Sequence, residues 1–530
     1  MTSISLAPLT GVEKRLAALH IKPVNAVATV AAMIVFVGDA QALALIPLSN
    51  TMQKEYSLTP SQASLVLAIL GLVGAGFLPV ITRLAERMSL RTFLLIGVAL
   101  VAIGNATCAM APGFTVLLVG RGIIGFSAAM PIALALVREK ADSEHSTNRA
   151  LAVVTAAVGI SVVFSFLLGG FILRIGGHVN TVFWVMAAVG VLTFIVGLVI
   201  VPDYRAPMRQ KVDFAGAAAL VVGLTLLAVG IGFVDDWGVI GLLVLVAGLV
   251  VMALWVVIEL HTPQPMIDLR RTFRRYTVPA FILGGLFGAV AVISNLAVTS
   301  YGEFDPKPFH GIPELAGPLG YGWGLIVLQT SLFLMPTAFF IFLGGFTVGR
   351  IITRIGVKTT FYIASFCTII AFALMALGHD YVWVNAVGMG IWGIAYALGS
   401  TAANAAVLHA AGDTEGAHFS AASSTVVATI GGLAAPVFTA ILYAFAVTVP
   451  IPDGKGGTVP TDIPTVLSYV NVYWALVVGG VLMLIFTVMH KNQRFRGGLV
   501  TERVAPAEGI APADGGVLAE DIAGGESARD

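Results

Sequence analysis

Charged residues are scarce in this sequence. Asp, Glu, Lys and Arg make up 11% of the 530 residues, whereas a soluble globular domain carries about 25%. Hydrophobic residues reach 58%, and the mean hydropathy is +0.95. A soluble protein of this length has no core large enough to hide so much apolar surface. The composition therefore excludes a soluble protein and favours one that lies in a lipid bilayer.

The residues of several kinds of site are also missing. The two cysteines, Cys108 and Cys367, fall inside apolar runs and are too few for a disulfide framework. The polar segments contain no nucleotide-binding loop, no cluster of metal ligands and no Ser/His/Asp arrangement. We therefore expect no enzymatic activity, no cofactor and no bound metal. The net charge of +1, without a basic patch, argues against a nucleic-acid partner.

Long uncharged runs are what the sequence has instead. No charged residue occurs from 56 to 81 or from 92 to 120, and the decapeptide TRLAERMSLR (82–91) between them carries four charges. A helix of about 20 apolar residues crosses the hydrocarbon of a bilayer. Fourteen such runs predict an all-α integral membrane protein with fourteen transmembrane helices. A buried core hairpin is the alternative for the decapeptide and its flanks.

The basic residues indicate how the chain crosses the membrane. If the N-terminus is cytoplasmic, 24 of the 29 Lys and Arg residues fall in inner segments and four in outer loops. Such an excess is typical of cytoplasmic loops. Residues 1–23 contain no long apolar core, so we expect no cleavable signal. The prediction is a multi-pass protein of the bacterial cytoplasmic membrane with both termini inside.

The charged decapeptide occurs twice. GRIITRIGVK (349–358) aligns with the first copy so that Arg87 meets Arg354 and Arg91 meets Lys358. Internal repeats of this kind are typical of transporters built from two related halves. The first copy follows the second run, and the second copy follows the tenth. Two runs are therefore inserted between two sets of six.

These runs predict five segments along the chain. They are a cytoplasmic N-terminus (1–23), an N-terminal six-helix bundle (24–202), an inserted helix pair with flanking basic loops (203–275), a C-terminal six-helix bundle (276–490) and a disordered cytoplasmic tail (491–530). The tail is rich in Gly, Ala and acidic residues, a composition that favours disorder.

The duplicated decapeptide resembles the signature loop of the major facilitator superfamily, GxLaDRxGRK. The second copy keeps four positions of that motif: Gly349, Arg354, Gly356 and Lys358. The first copy replaces four: Thr82, Glu86, Ser89 and Leu90. The run count, DFAG before the seventh run, DDWG after it and PMIDLRR after the eighth resemble the fourteen-helix drug:proton antiporter family. The resemblance covers residues 24 to 490 and implies the major facilitator fold and secondary active transport, but no particular substrate.

The resemblance also implies a cytoplasmic gate. In the family, the acidic residue of the loop, here Glu86, pairs with a basic residue at the end of a neighbouring helix, for which Arg138 is the candidate. Together with Arg87 and Arg354 of the two loop copies, this pair is expected to hold the cytoplasmic side closed in the outward-open state. The alternative is that the loop charges only anchor helix ends and fix the topology.

Asp39 lies inside the first run, where a carboxylate costs about 2.5–3.5 kcal/mol on insertion scales. Burial favours its protonated form and a nearby cation favours its ionised form, so a group between these effects can bind and release a proton. The candidate cation is Arg121, in a fourth-run segment that resembles the superfamily motif LxxxRxxQGxGAA. The two are the only ionisable pair expected deep in the spans, both in the outer half of the membrane. The alternative is a fixed ion pair with a structural role.

Small residues on the fourth and fifth runs predict close helix packing. Gly125 belongs to the fourth-run motif. The fifth-run motif of the family, GxxxGPxxGG, is represented here by Ser161, Ser165, Phe166, Gly169 and Gly170. In the family, the Gly-Pro kink is associated with export by exchange. Its loss leaves the direction of transport open.

The C-terminal half offers a candidate substrate cavity without a buried acidic residue. Asn295, Gln329, Trp392 and Tyr396 combine amides with aromatic rings, which suits a bulky, mostly apolar substrate. Ordinary helix packing and the aromatic belt are the alternatives for each of them.

Together these features predict a monomeric secondary transporter whose partners are a small-molecule substrate, protons and the lipid bilayer. The leading hypothesis is proton-coupled export of lipophilic drug-like or secondary-metabolite molecules. The alternative is proton-symport uptake of a small organic solute.

Overall fold

The structure is a computed structural model of the chain. It describes residues 23–87, 89–127, 132–133, 136–137, 144–202, 213–263, 265, 267, 269–272, 277–309, 311–411, 416–452 and 458–490. Some side chains within these stretches, including those of Asp39, Glu86 and Arg87, are outside the described part. The predicted tail (491–530) and the predicted N-terminal segment up to residue 22 also lie outside it.

Helices account for most of the described chain. Before residue 203 they are α1 (Pro23–Leu43), α2 (Ser49–Tyr56), α3 (Pro60–Arg87), α4 (Leu90–Ala109), α5 (Phe114–Gly125), α6 (Glu144–Arg174) and α7 (Val179–Ile200). The next three are α8 (Phe214–Trp237), α9 (Val239–His261) and the short α10 (Leu269–Thr272). The remainder are α11 (Val278–Glu303), α12 (Pro313–Ala316), α13 (Val327–Ile355), α14 (Val357–Leu377), α15 (Val382–Ala411), α16 (Gly416–Tyr443) and α17 (Val466–Met489).

The predicted membrane architecture is confirmed in its main features. Thirteen of the described helices are long and apolar enough to cross a membrane. The shorter apolar helix α5 lies where the fourth span is predicted, and the residues after 127 are described only in part. Fourteen predicted spans are therefore matched by thirteen long helices and this shorter one.

Polar side chains determine where several helices begin. Before α3, Thr59 and Gln62 form a reciprocal capping box, in which each side chain accepts the backbone N–H of the other residue. Ser89 caps α4 by accepting the N–H of Thr92 at 3.3 Å. Asp213 caps α8 by accepting the N–H of Gly216 at 2.9 Å. These bonds satisfy amide groups that a helix cannot satisfy within its own first turn.

The two halves of the chain repeat the same helix pairing. In the first half, α1 packs on α6, α4 packs on α7 and α5, and α3 packs on α5. In the second half, α11 packs on α16, α14 packs on α17 and α15, and α13 packs on α15. Each helix of the first half thus has a counterpart with equivalent neighbours in the second. The structure therefore contains two six-helix bundles with the same arrangement.

Two contacts join these bundles. α3 packs against α16, and α6 packs against α13. The Cβ that an alanine would have at Gly71 of α3 would lie 3.4 Å from Cα of Gly432 in α16. One continuous cluster of buried apolar side chains includes Leu72 of α3, Phe166 of α6 and much of the second bundle. The core of the second bundle therefore extends across the interface between the halves.

The two copies of the charged decapeptide make equivalent contacts. Arg91 donates from Nη2 to the carbonyl oxygen of Leu198, near the end of α7, at 2.8 Å. Lys358, its counterpart, donates from Nζ to the carbonyl oxygen of Val488, near the end of α17, at 3.0 Å. Cations near a helix C-terminus stabilise its unpaired carbonyl groups. The start of α4 is thereby bonded to the end of α7, and the start of α14 is bonded to the end of α17.

The inserted helices form an antiparallel pair with its own interface. α9 packs principally on α8, and α8 also contacts α3 and α16. Glycines bring the two helices together, since a Cβ at Gly230 would lie 2.6 Å from Cα of Leu245, and one at Gly248 would lie 2.8 Å from the nitrogen of Leu227. The predicted boundaries at 203 and 275 fall outside the described residues, so the extent of the insertion stays a prediction.

A β-hairpin is the only sheet among the described residues. β1 (Ala446–Pro452) and β2 (Thr458–Pro464) are antiparallel and connect α16 to α17. The sequence analysis predicted an all-α protein and did not predict this hairpin. Alternating valine, threonine and isoleucine in AVTVPIP favour a strand, and the prolines prevent it from continuing a helix.

We predict opposite effects of alanine at two glycines. Gly230→Ala places a methyl group against the backbone of Leu245 and should lower stability by about 1–3 kcal/mol. Gly431→Ala, where a Cβ meets no atom within 4 Å, should raise stability by up to about 1 kcal/mol through helix propensity. Thermal unfolding in detergent, followed by tryptophan fluorescence, measures both. A Gly230→Ala protein as stable as Gly431→Ala would contradict the packing of α8 on α9.

Candidate functional site

A buried arginine lies at the centre of the first bundle. Arg121 of α5 is 1% exposed, and its guanidinium contacts the backbones of two other helices. Nη1 donates to the carbonyl oxygen of Gln41 in α1 at 2.8 Å, and Nε donates to that of Val66 in α3 at 3.2 Å. A buried charge is tolerated only when its polar atoms are satisfied. Arg121 therefore ties α1, α3 and α5 together.

Glycines on α4 and α5 bring these two helices into close contact. A Cβ at Gly120 would lie 2.5 Å from Sγ of Cys108 and 2.8 Å from the carbonyl oxygen of Gly104. A Cβ at Gly104 would lie 2.7 Å from the carbonyl oxygen of Gly120. Only residues without a side chain allow such an approach. Because Gly120 directly precedes Arg121, this contact fixes α5 against α4 at the position of the arginine.

The remaining guanidinium nitrogen of Arg121 is available for a further acceptor. Nη2 is buried and has no hydrogen-bond partner among the described residues. Asp39 belongs to α1, two residues before Gln41, so its backbone lies one half-turn from the carbonyl group that binds Arg121. Because the Asp39 side chain is outside the described part, the pairing of these two residues stays a prediction.

A small cavity lies beside this arginine, inside the first bundle. Its volume is about 160 Å³, and its walls come from α1, α3, α4, α5 and α7. Most of the lining side chains are apolar. Gln41 and Thr193 are buried polar residues in its lining, and Nε2 of Gln41 lacks a partner among the described residues. Two buried donors, on Gln41 and Arg121, therefore lack an acceptor in this region.

The small residues predicted to mediate packing lie at close helix contacts. A Cβ at Gly125 would come within 2.9 Å of the carbonyl oxygen of Leu70 in α3. Ser161 of α6 donates to the carbonyl oxygen of Phe36 in α1 at 3.1 Å, and Ser165 donates to Ser161 within α6.

The glycine pair of α6 has two different neighbours. A Cβ at Gly169 would meet the side chain of Leu48 at 2.8 Å, within the first bundle. One at Gly170 would lie 2.6 Å from Cα of Leu328, near the start of α13. The second glycine therefore lies at the contact between the two halves.

The residues of the predicted cytoplasmic gate are described only in part. Glu86 and Arg87 belong to the last turn of α3, but their side chains are outside the described residues, as is all of Arg138. Arg354 is exposed in the last turn of α13 and makes no hydrogen bond or ion pair within the described part. The gate therefore stays a prediction.

The structure does not bring the four predicted cavity residues together. Trp392 is fully buried against Phe287 and Phe372, with Tyr396 half-buried beside it. Gln329 is exposed at the start of α13, where its Oε1 accepts the N–H of Ile326. Asn295 is buried in α11.

The ring contacts of Trp392 and Tyr396 are those of helix packing, and the hydrogen bond of Gln329 caps a helix. For Trp392 and Gln329 they fit the packing alternative better than a shared cavity. None of the four lines the cavities that we describe.

A larger cavity lies between the two halves on the predicted outer side. Its volume is about 440 Å³, and α2, α3, α11, α16, α17 and β2 contribute to its walls. Aromatic side chains line the part formed by the second half, including Phe438, Tyr321 and Tyr469. Tyr321 donates to the carbonyl oxygen of Pro464 at 2.8 Å. Burial raises the pKa of Tyr321 above its usual value, so this phenol stays a neutral donor.

Glu303 is a charged residue of this cavity that the sequence analysis did not select as a site residue. It is the last residue of α11, and Asn50 of α2 donates from Nδ2 to its Oε2 at 2.9 Å. Glu303 follows an uncharged run, so the sequence analysis had no reason to place it inside a span. Glu259, in the last turn of α9, is a further buried carboxylate, with 2% exposure. Both lie near helix ends, so the expectation that Asp39 and Arg121 are the only ionisable pair deep in the spans stays a prediction.

Comparisons with known proteins agree with this architecture. A family model described as Major Facilitator Superfamily matches residues 28–436. "Multidrug resistance protein 3" of Bacillus subtilis (strain 168) is 28% identical over 240 residues, which are 43% of this chain and 46% of that protein. "Multidrug resistance protein Stp" of Mycobacterium tuberculosis (strain CDC 1551 / Oshkosh) is 26% identical over 353 residues, 65% of this chain and 62% of that protein.

These alignments span between about half and two thirds of the relatives' length. A solved structure, of the human organic anion transporter MFSD10 (TETRAN), superposes with a TM-score of 0.55 at 14% identity. It covers 88% of this chain and 99% of that one, and a likeness at this identity concerns the fold alone. With two bundles of equivalent pairing and a family match over most of its length, the chain is a member of the Major Facilitator Superfamily.

Proposed function

We propose that this chain is a monomeric, proton-coupled transporter that exports lipophilic drug-like or secondary-metabolite molecules across the bacterial cytoplasmic membrane, with both termini inside. The observation that carries this proposal is the buried guanidinium of Arg121, which has a nitrogen without a partner among the described residues, close to the turn of α1 that contains Asp39. The printed names of the relatives, which describe multidrug resistance, support the choice of substrate class.

Proton coupling would act through the charge of Asp39. When Asp39 is ionised, its attraction to Arg121 draws α1 and α5 together. When it is protonated, that attraction is lost while the bonds of Arg121 to the carbonyl oxygens of Gln41 and Val66 remain. A proton that changes the relative energies of two arrangements shifts their populations. Each proton that moves down a membrane potential supplies about 2.3 kcal/mol per 100 mV.

The cytoplasmic side would close through the charged loops. Glu86 is proposed to pair with Arg138, with Arg87 and Arg354 as neighbouring basic groups at the ends of α3 and α13. An ion pair that exists in only one arrangement favours that arrangement. Movement of one bundle against the other, through the contacts of α3 with α16 and of α6 with α13, would then expose the two sides in turn.

Uptake by proton symport is the second candidate. The observation in its favour is α6, an uninterrupted helix from Glu144 to Arg174 in which Phe166 takes the place of the proline of the antiporter motif. Without that kink, the feature that the family associates with exchange is missing. The direction of substrate movement in vesicles of known orientation separates the two candidates.

We predict that Asp39→Asn abolishes gradient-driven transport. The amide mimics the protonated carboxyl but cannot release a proton, so accumulation of a fluorescent lipophilic dye such as ethidium in inside-out vesicles should fall to background. Exchange of dye without a gradient should persist, because it needs no change of protonation. Glu314→Gln, at an exposed position of α12, is the control exchange of a carboxylate for an amide and should transport normally. Uphill accumulation by folded Asp39→Asn protein at normal abundance would refute the assignment.

We predict that Arg121→Ala moves the pH optimum of transport upward. Without the guanidinium, no cation favours the ionised form of Asp39, so the proton leaves only at lower proton concentration. Dye transport measured at a series of pH values, with the same pH difference across the membrane, gives the optimum. Arg121→Lys keeps a cation and should shift the optimum less. An unchanged optimum in Arg121→Ala protein that is folded and active would count against coupling between the two residues.

A further inference from the structure

A side-chain hydrogen bond joins the two halves at the outer cavity. Asn50 lies on α2, which follows the first span, and Glu303 ends α11, the first helix of the second bundle. Nδ2 of Asn50 donates to Oε2 of Glu303 at 2.9 Å, between residues that are 253 positions apart. Any movement that opens the outer side must separate these two residues. The bond therefore belongs to the closed form of this side.

The second oxygen of Glu303 is buried without a partner. Oε1 is inaccessible to solvent and accepts no hydrogen bond from the described residues. An ionised carboxylate in such surroundings costs several kcal/mol unless both oxygens are satisfied. A protonated carboxyl avoids this cost, since Oε2 remains the acceptor for Asn50 and Oε1 carries the proton. The geometry of the closed cavity thus suits the neutral acid.

The other charged and titratable groups around the cavity offer no direct compensation. They are Lys54 of α2, Asp305 of the following loop, Asp462 of β2, and the phenols of Tyr321, Tyr443 and Tyr469. Lys54 forms no salt bridge with Glu303 in the described part of the chain, although its charge favours the ionised form through space. Asp305 and Asp462 are acidic and act in the opposite direction.

We propose that Glu303 is a second proton site, which binds a proton from the outside and thereby allows the outer cavity to close. In the open form, water hydrates the carboxylate, so it is stable as an ion. Closing removes that water and brings Asn50 to Oε2, which is favourable once Oε1 has taken up a proton. The step transfers one proton from outer water to Oε1, and opening returns it.

This site would determine the order of events on the outer side. For an exporter, substrate leaves through the open cavity, a proton binds to Glu303, and the halves close with the proton inside. The inference rests on the proposed proton-coupled transport. It is separable from the role of Asp39, because closure can be measured without substrate and without transport.

The test measures closure by cysteine labelling. Ser300 lines the cavity, and Ser300→Cys is introduced together with Cys108→Ala and Cys367→Ala, which remove both native thiols. A membrane-impermeant maleimide is applied from the outer side between about pH 5 and about pH 9. The rate is divided by that of Gly311→Cys, an exposed outer position, which cancels the pH dependence of the thiol reaction itself. One coupled proton changes the open-to-closed ratio by up to about tenfold per pH unit.

The proposal expects the normalised labelling rate to fall as pH is lowered. Glu303→Gln should label slowly at every pH, because the amide is always neutral and closure no longer needs a proton. Glu303→Asp should restore a pH response, and Glu314→Gln, at an exposed position that does not line the cavity, should keep the response of the unmodified protein. Asn50→Leu, which removes the donor, should label faster at low pH than the protein with Asn50.

A pH response that survives unchanged in Glu303→Gln overturns the proposal, as does a rate that does not depend on pH when Glu303 is intact. Thermal unfolding of each variant identifies any that fail to fold, and Glu303→Asp then gives the decisive comparison. Loss of transport in Asp39→Asn together with an intact labelling response would support both sites separately. An intact labelling response with no proton-driven transport would refute only the proposed function.

Discussion

Hydrocarbon offers no hydrogen-bond partners, and this constraint determines most of the structure. Each backbone amide within the bilayer must be satisfied inside the protein, so the spanning segments are helical and the strands occur in a connection between spans. Helices with satisfied backbones associate through packing of small residues and through a few polar side chains. The contacts at Gly104, Gly120, Gly230 and Gly248 are of the first kind. Those of Arg121 and Ser161 are of the second.

The same constraint makes unsatisfied polar atoms informative. Two nitrogens of Arg121 donate to carbonyl oxygens of other helices, and the third has no partner among the described residues. Glu303 has one oxygen bonded and one buried alone. Both groups lie at contacts between helices. Arg121 lies between helices of one bundle, and Glu303 lies between the two bundles. A change of charge at either position would alter a contact that holds helices together.

Among the described helices, the inserted pair lies against one of the two helix contacts between the halves and not against the other. α8 lies against both α3 and α16, which are the helices that join the bundles on one side. A Cβ at Gly76 of α3 would overlap Cγ2 of Val221 in α8 at 2.0 Å, so this contact is as close as those within a bundle. The other contact, of α6 with α13, has no such neighbour among the described helices. Movement of the halves must therefore carry α8 along or slide past it on one side only.

The sequence by itself determined the membrane-spanning fold, the approximate number of spanning helices and the internal repeat. Hydropathy and helix length are local properties, so the sequence shows them directly. The repeat is also visible in the sequence, and its basic residues Arg91 and Lys358 make equivalent hydrogen bonds to the ends of neighbouring helices. The contact of Asn50 with Glu303 could not be read in this way, because it joins positions 253 residues apart and Glu303 lies just beyond an apolar run. The tertiary structure also decided that Trp392 is buried among phenylalanines, while Gln329 caps a helix. Which side of a helix meets a cavity depends on how the helices are rotated and packed. Where nearly every position is apolar, the hydrophobic pattern cannot specify that rotation, so only the packed structure can.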